Sequence, residues 1–191
     1  MENIPWDSGR WVNEPQSSEI VGNNLHVTAI FESDFWRHTS YGFVHDSGHA
    51  LLVDLPDQSA MEVTFTLNFY GQFDQAGIIV YSDSEHWIKA GVETFDGEAY
   101  VVTVVTAQYS DWSMAPVDHW IGKEVTVRAS RSGNAITFRA RCEGEDRLIR
   151  VAPISPELSW RAGLHCASPT SSNLEVVFTK WVSTEADASL H

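Results

Sequence analysis

Cysteine is scarce in this chain, which holds two cysteines in 191 residues. Cys142 and Cys166 form no Cys-x-x-Cys pair, and this excludes a zinc ribbon or a dithiol redox motif. Each lies in an alternating apolar pattern, so we expect two buried free thiols rather than a disulfide. Free thiols are typical of a reducing, cytoplasmic compartment.

Basic residues are also few. Lysine and arginine number 12 against 26 aspartates and glutamates, which gives a formal net charge of −14. Nucleic-acid binding needs a basic face, and no lysine or arginine cluster is present. The charge balance therefore excludes nucleic acid, and anionic membrane surfaces, as partners.

Long apolar runs are missing as well. No stretch approaches the length needed to span a bilayer. The first residues, Met1–Asp7, contain neither a basic region nor an apolar core of the kind that a secretory signal requires. We therefore predict a cytoplasmic protein without a membrane anchor. No nucleophile elbow, phosphate-binding glycine loop or dinucleotide fingerprint is present, so no cofactor is predicted.

Alternation with a period of two dominates what is present, while no segment of ten residues shows the helical period. Between Glu62 and Tyr70, for example, apolar and polar side chains alternate strictly, as in a half-buried strand. Asp96-Gly97 is a hairpin-turn signal. The predicted strands are Asn24–Ile30, Ala50–Leu55, Glu62–Tyr70, Ala76–Ser82, His86–Thr94, Tyr100–Ala107, Glu124–Ser130, Ala135–Cys142, Arg147–Ala152, Arg161–Cys166 and Asn173–Trp181.

These strands predict an all-β fold, a two-sheet antiparallel β-sandwich, because successive strands without helices leave a sandwich or a barrel as the stable arrangements. The length fits one domain, which we assign to residues 1–182. Residues 183–191 are small and polar and are expected to form a frayed tail. Ser155–Leu158 is expected to form one helical turn.

Several short motifs together resemble one family, the uncharacterised family of the regulation-of-enolase protein type. The match runs from Trp11 to Trp181. The resemblance implies the concanavalin A-like (jelly-roll) fold of lectins and glucanases, and it transfers no established chemistry. The motifs are Trp11–Pro15, Asp34–Arg37, Tyr41–Phe43, Asp46–His49, Asp74–Gly77, Trp87–Glu93, Ser110–Ser113 and Cys166–Pro169.

Aromatic residues and planar polar groups suggest a sugar site. Sugar sites combine aromatic platforms with a few hydrogen-bonding side chains, and this chain has eight tryptophans. The candidate ligand-binding residues are Trp36, Arg37, Tyr41, Gln75, Trp87, Lys89, Glu93, Asp111 and Trp112.

Three of these candidates share one face of one predicted strand. Trp87, Lys89 and Glu93 alternate, and Lys89 and Glu93 lie about 13 Å apart along it, too far to pair directly. Each therefore needs another partner or a ligand. The same pattern fits a solvated outer face. The segments around Trp36 and Trp112 are read as loops, whose tryptophans either cover the core edge or stack on a sugar ring.

Two glutamates are secondary candidates for catalysis. Glycoside hydrolysis needs two carboxyl groups about 5–9.5 Å apart. Glu62 and Glu93 both lie on polar strand faces and could face one another across strands, although two solvated glutamates fit the pattern too. The Glu-x-Asp-x-Glu strand pattern of laminarinase-like enzymes is absent.

A metal site is a further alternative. His45 and His49 flank a carboxylate in a short segment, and imidazole suits zinc. The spacing lacks the helical geometry that would make both rings converge, so no metal is predicted.

Three hypotheses about function follow. The first is a non-catalytic, lectin-like carbohydrate-binding domain with a saccharide ligand. The second is an intracellular regulatory protein of sugar metabolism with a protein partner such as a glycolytic enzyme, which the family resemblance implies. The third is a glycoside hydrolase-like enzyme.

Overall fold

Strands make up most of the computed structural model, which describes residues 1–190. Two short 3₁₀ helices, Trp6–Ser8 and Asp118–Trp120, interrupt them. Within the described range the strands are β1 (Glu2–Asn3), β2 (Arg10–Val12), β3 (Ser17–Val21), β4 (Asn24–Thr28), β5 (Phe35–Arg37), β6 (Val44–Asp46), β7 (His49–Asp54), β8 (Ser59–Thr66), β9 (Asp74–Asp83), β10 (His86–Phe95), β11 (Glu98–Ala107), β12 (Tyr109–Pro116), β13 (Glu124–Ser132), β14 (Ala135–Cys142), β15 (Glu145–Pro153), β16 (Arg161–Ala167) and β17 (Glu175–Glu185).

The strands form two large sheets. The back sheet has the order β15-β14-β13-β8-β17-β4-β3, with β1 beside β17, and the front sheet has the order β12-β11-β10-β9-β16-β7-β2. Neighbouring strands within both sheets are antiparallel. The predicted antiparallel β-sandwich is confirmed.

The main core lies between the two sheets. Inward side chains of the back sheet, such as Val63 and Phe65, pack against inward side chains of the front sheet, such as Ile78 and Val92. Because successive strand residues point to opposite faces, the residues between them face outward. The alternation read from the sequence thus sets which side chains can form a site.

Both cysteines are free and buried in this core. Burial, together with a smaller effect of the neighbouring Asp74, raises the pKa of the Cys166 thiol to about 12. The thiol is therefore protonated at neutral pH and serves as an apolar core side chain.

A second apolar cluster lies on the opposite, outward face of the front sheet. A small hairpin of β5 and β6 folds over that face and inserts Phe35 against Tyr81 and Trp87, with ring centroids 6.3 and 5.6 Å apart. Phe35 and Trp87 are almost fully buried. Removing an aromatic ring from such a seat costs about 3–5 kcal/mol, so the hairpin is held firmly over the sheet.

Four local expectations differ from the structure. Trp36 lies in strand β5 and Trp112 in strand β12, where loops were expected, because each segment pairs with a neighbouring strand. The segment Ser155–Leu158 is a turn and not a helix. Strand β17 continues to Glu185, where pairing with β8 orders the start of the expected tail, and Asp187 forms ion pairs beyond it. The last residue of that tail, His191, lies outside the described residues.

Candidate functional site

A cavity of about 700 Å³ opens on the outward face of the front sheet, beside the β5–β6 hairpin. Outward-facing side chains of β9, β10 and β11 form its floor, and the hairpin and β12 contribute its walls. We call it the front cavity. Its lining residues are Glu32, Asp34, Trp36, Tyr41, Phe43, His45, Phe73, Gln75, Lys89, Glu93, Val104, Trp112, Pro169 and Thr170.

Two glycines leave room in the floor. Gly77 on β9 lies directly across from Gly91 on β10. A Cβ on Gly91 would lie 2.1 Å from the carbonyl oxygen of Ala76, so no other residue fits without moving a strand. Gly91 lies between Lys89 and Glu93 on the same face, and its missing side chain leaves space between their polar ends.

The Lys89 ammonium group is buried at one end of this floor and is held by two hydrogen bonds. It is 2% exposed, and its Nζ donates to Gln75 Oε1 at 2.6 Å and to Asp34 Oδ1 at 3.1 Å. Gln75 Nε2 also donates to Asp34 Oδ1, at 3.2 Å. The three side chains form one closed network, in which the charge of Lys89 is balanced by Asp34.

The Glu93 carboxyl group, in contrast, has no partner among the described residues. It is 6% exposed, and it forms no hydrogen bond or ion pair within residues 1–190, although it lines the cavity. Burial raises its pKa to about 7; Lys89 opposes this rise and Asp34 adds to it. A buried carboxyl without partners is costly when ionised, so the cavity has an unsatisfied acceptor at its floor.

Aromatic rings form the walls. Trp36 contacts both Tyr41 and Trp112 edge to face, with centroids 5.8 and 6.3 Å apart. Tyr41 stacks on Phe43 at 5.2 Å. The indole Nε1 of Trp112 is buried and has no hydrogen-bond partner among the described residues.

Two of these rings are exposed, with Tyr41 at 62% and Phe43 at 42%. They lie near the tip of the hairpin, where His38 and Ser40 adopt positive φ angles of 60° and 65°. Such angles are unfavourable for residues other than glycine. The chain thus holds an exposed aromatic pair on a constrained loop, a combination that contributes little to the core and is typical of binding loops.

Comparison with known proteins identifies the family. A family described as a protein of unknown function, DUF1349, matches residues 11–186. The chain belongs to the DUF1349 family. It is 32% identical over 188 residues to Regulation of enolase protein 1 of Saccharomyces cerevisiae, covering 94% of this chain and 91% of that protein.

Solved structures agree with the fold. A functionally unknown protein from Saccharomyces cerevisiae superposes with a TM-score of 0.87 at 29% identity, covering 97% of this chain and all of that one. The GH43 BlXynB protein from Bacillus licheniformis gives a TM-score of 0.72 at 10% identity, covering 96% of this chain and 38% of that one. At that identity the second likeness shows the fold alone.

Six of the nine predicted ligand-binding residues line the front cavity of this DUF1349 protein. The other three do not. Trp87 is 0% exposed and packs against Phe35 of the β5–β6 hairpin. Arg37 forms ion pairs with Asp46 and Glu85. Asp111 points to the face of β12 opposite to Trp112 and pairs with Arg150 of the back sheet. The six lining residues are Trp36, Tyr41, Gln75, Lys89, Glu93 and Trp112.

The two candidate catalytic glutamates do not face one another. Glu62 lies on β8 of the back sheet and Glu93 on β10 of the front sheet, and each points away from the core between them. The alternation showed correctly that both face outward, but it could not show that they belong to different sheets. A two-carboxyl mechanism built on this pair is therefore ruled out.

The two histidines of the metal hypothesis also separate. His45 lines the front cavity and packs against Phe43 at 4.5 Å. His49 is buried, and its two ring nitrogens lie 3.0 Å from the Ile30 amide and the Asn13 carbonyl. Burial lowers its pKa. Among residues 1–190 no group of three or more His, Cys, Asp or Glu side chains is placed to hold a metal ion.

Sequence reasoning missed part of the lining. Asp34, Phe43 and Pro169 lie in motifs that carried the family resemblance, yet they were not assigned a role. Glu32, Phe73 and Thr170 lie in connections where the pattern carries no directional signal. Position within a shared motif was the one signal that could have added Asp34, the partner of Lys89.

No helix in the described part of the chain is long and apolar enough to cross a membrane. The cytoplasmic location predicted from the sequence stays a prediction.

Proposed function

We propose that the front cavity binds a saccharide without transforming it. The observation that carries this proposal is the arrangement of an aromatic wall, Trp36 and Trp112, over a floor that carries the unpaired carboxyl group of Glu93. A pyranose ring presents apolar C–H faces and a rim of hydroxyl groups. Aromatic rings suit the faces, and amides and carboxylates suit the rim.

An unsatisfied polar group supports the same ligand class. The Glu93 carboxylate lacks a hydrogen-bond donor among the described residues, although it lines the cavity. A hydroxyl group both donates and accepts. A polyhydroxylated ligand can therefore donate to the Glu93 carboxylate, and leaving that buried group unpaired costs about 1–3 kcal/mol.

The test is isothermal titration calorimetry against a panel of neutral and charged mono- and oligosaccharides. We expect one sugar class to bind, and Tyr41→Ala to weaken that binding roughly three- to tenfold through loss of one ring contact. Tyr70→Ala is the matched control, because Tyr70 is as exposed, at 66%, and does not line the cavity. Absence of binding across the panel, or equal losses in both variants, would reject the proposal.

A protein partner is a second candidate, and an exposed sheet edge favours it. Strand β3 ends the back sheet, and its Ile20 and Val21 are 57% and 53% exposed. An open edge can accept a strand of another protein. The name of the Saccharomyces cerevisiae relative suggests enolase as the partner. Purified enolase should then bind the wild-type protein and lose affinity for Ile20→Lys; no binding to enolase would reject this candidate.

A further inference from the structure

The front cavity has an excess of negative charge. Three carboxyl groups, Glu32, Asp34 and Glu93, line it against one lysine. The charge of that lysine is already neutralised by Asp34, with Nζ and Oδ1 3.1 Å apart. His45 is the one further lining side chain that can become cationic. An anionic ligand would meet uncompensated repulsion here, whereas a cationic one would gain attraction.

A cationic ligand group would be attracted most strongly to the Glu93 carboxylate. Its carboxylate is buried and unpartnered, and the side chains across from it on neighbouring strands are Gln75 on β9 and Tyr100 on β11, neither of which is cationic. His165, on β16, is fully buried and its pKa is lowered well below the usual value by burial, so it supplies no charge. Among the described residues, Lys89 is the cation whose charge acts on Glu93, and its ammonium group is held by Asp34 and Gln75.

The walls favour the same charge. The rings of Trp36 and Trp112 line the cavity and lie edge to face, with their centroids 6.3 Å apart. Ring faces attract ammonium groups, most strongly where water is excluded. A cavity lined by an unpaired carboxylate and by tryptophan rings is an arrangement that recognises an ammonium group.

We infer that the saccharide bound in the front cavity is an amino sugar, whose protonated amino group lies against the Glu93 carboxylate. This inference rests on the proposed saccharide-binding function and names the class of sugar. It also explains why a side chain that is costly to ionise is an acid and not an amide. Glutamine at position 93 would satisfy a neutral sugar but would not neutralise an ammonium group.

The first experiment compares three disaccharides by calorimetry at about pH 7, where an amine is still largely protonated. They are the β-1,4-linked dimers of glucosamine, N-acetylglucosamine and glucose. We expect the glucosamine dimer to bind at least about tenfold more tightly than the other two. Equal binding of all three, or a preference for the acetylated dimer, would overturn the amino-sugar inference and leave saccharide binding in place. No binding by any of them would overturn the inference, and binding of an unrelated sugar in the wider panel would then preserve the proposed function.

The second experiment uses Glu93→Gln, with Glu62→Gln as a control that changes a buried glutamate of the other sheet. We expect Glu93→Gln to lose the preference for the glucosamine dimer, while the control keeps it. Wild-type affinity should rise about tenfold between about pH 5.5 and pH 7 as Glu93 ionises, and the Glu93→Gln affinity should stay flat. A preference that survives Glu93→Gln in full would assign the amino group to another residue and overturn the inference.

Discussion

The two outer faces of the sandwich each carry a buried glutamate, and the two glutamates differ in how they are neutralised. On the back sheet, Glu62 Oε1 accepts from Arg128 at 3.3 Å and also from Arg141, and Lys180 lies 3.7 Å from Oε2. On the front sheet, Glu93 has no such partner in the described structure. Both side chains are almost equally buried, at 4% and 6% exposure.

The difference shows that burial alone does not determine whether a carboxylate belongs to the scaffold or to a binding site. A buried carboxylate that is surrounded by cations is part of the scaffold, since removing it leaves the cations unpaired. A buried carboxylate without partners destabilises the folded chain at neutral pH and is retained at a cost. Costs of this kind are typical of functional sites, where stability is traded for binding.

The largest expected effect comes from Glu93→Gln on stability. The pKa of Glu93 is about 7 in the folded chain against an ordinary value of 4.5, so the folded state holds the proton more tightly than the unfolded state. The wild-type free energy of unfolding therefore falls as pH rises from about 4.5 through about 7, and the variant lacks this fall. Urea unfolding above pH 8 should show the variant more stable by about 3 kcal/mol, and below pH 4.5 the difference should vanish. A difference independent of pH would contradict the assignment.

The corresponding substitution on the back sheet, Glu62→Gln, should lower the free energy of unfolding instead of raising it. Glu62→Gln removes the charge that Arg128 and Arg141 share, and Arg128 is only 12% exposed in its side chain. We expect a loss of about 2 kcal/mol, below the 3–5 kcal/mol of a fully buried pair, because Arg141 and Lys180 are each 39% exposed. Urea unfolding at pH 8 measures it. A stabilised Glu62→Gln would remove the contrast between the two faces.

The sequence was sufficient to place these side chains outward and insufficient to place them relative to one another. Alternation put Trp87, Lys89 and Glu93 on one face, and the structure agrees, because a period of two is a local property. It could not show that the β5–β6 hairpin covers Trp87 and leaves Glu93 open. That depends on Phe35, which is more than 50 residues away in the chain and packs on Trp87.

A finer test of the front sheet changes the lysine beside Glu93. The ammonium of Lys89 lowers the pKa of Glu93, so Lys89→Met should raise that pKa above about 7. The titration of the Glu93 carboxyl carbon, followed by NMR, measures it directly. Lys180→Met is the control, because it removes a lysine from the back sheet, where it pairs with Glu62. An unchanged Glu93 titration in Lys89→Met would mean that the lysine charge does not act on the Glu93 carboxyl group.

The smallest expected effect concerns the edge of the front sheet. Asp111 was predicted to bind ligand, yet it is 67% exposed in its side chain, pairs with Arg150 at 2.9 Å, and does not line the cavity. An exposed ion pair contributes within about 1 kcal/mol, so Asp111→Asn should change the free energy of unfolding by less than about 0.5 kcal/mol and leave saccharide affinity unchanged. Its neighbour Trp112 lies in the wall of the front cavity, so Trp112→Ala should weaken saccharide binding.

Asp111 and Trp112 are adjacent on β12 and point to opposite faces. Comparing the two variants therefore tests whether saccharide recognition is confined to the cavity side of the strand. Weakened binding by Asp111→Asn would extend the site across the strand to the face that carries Arg150.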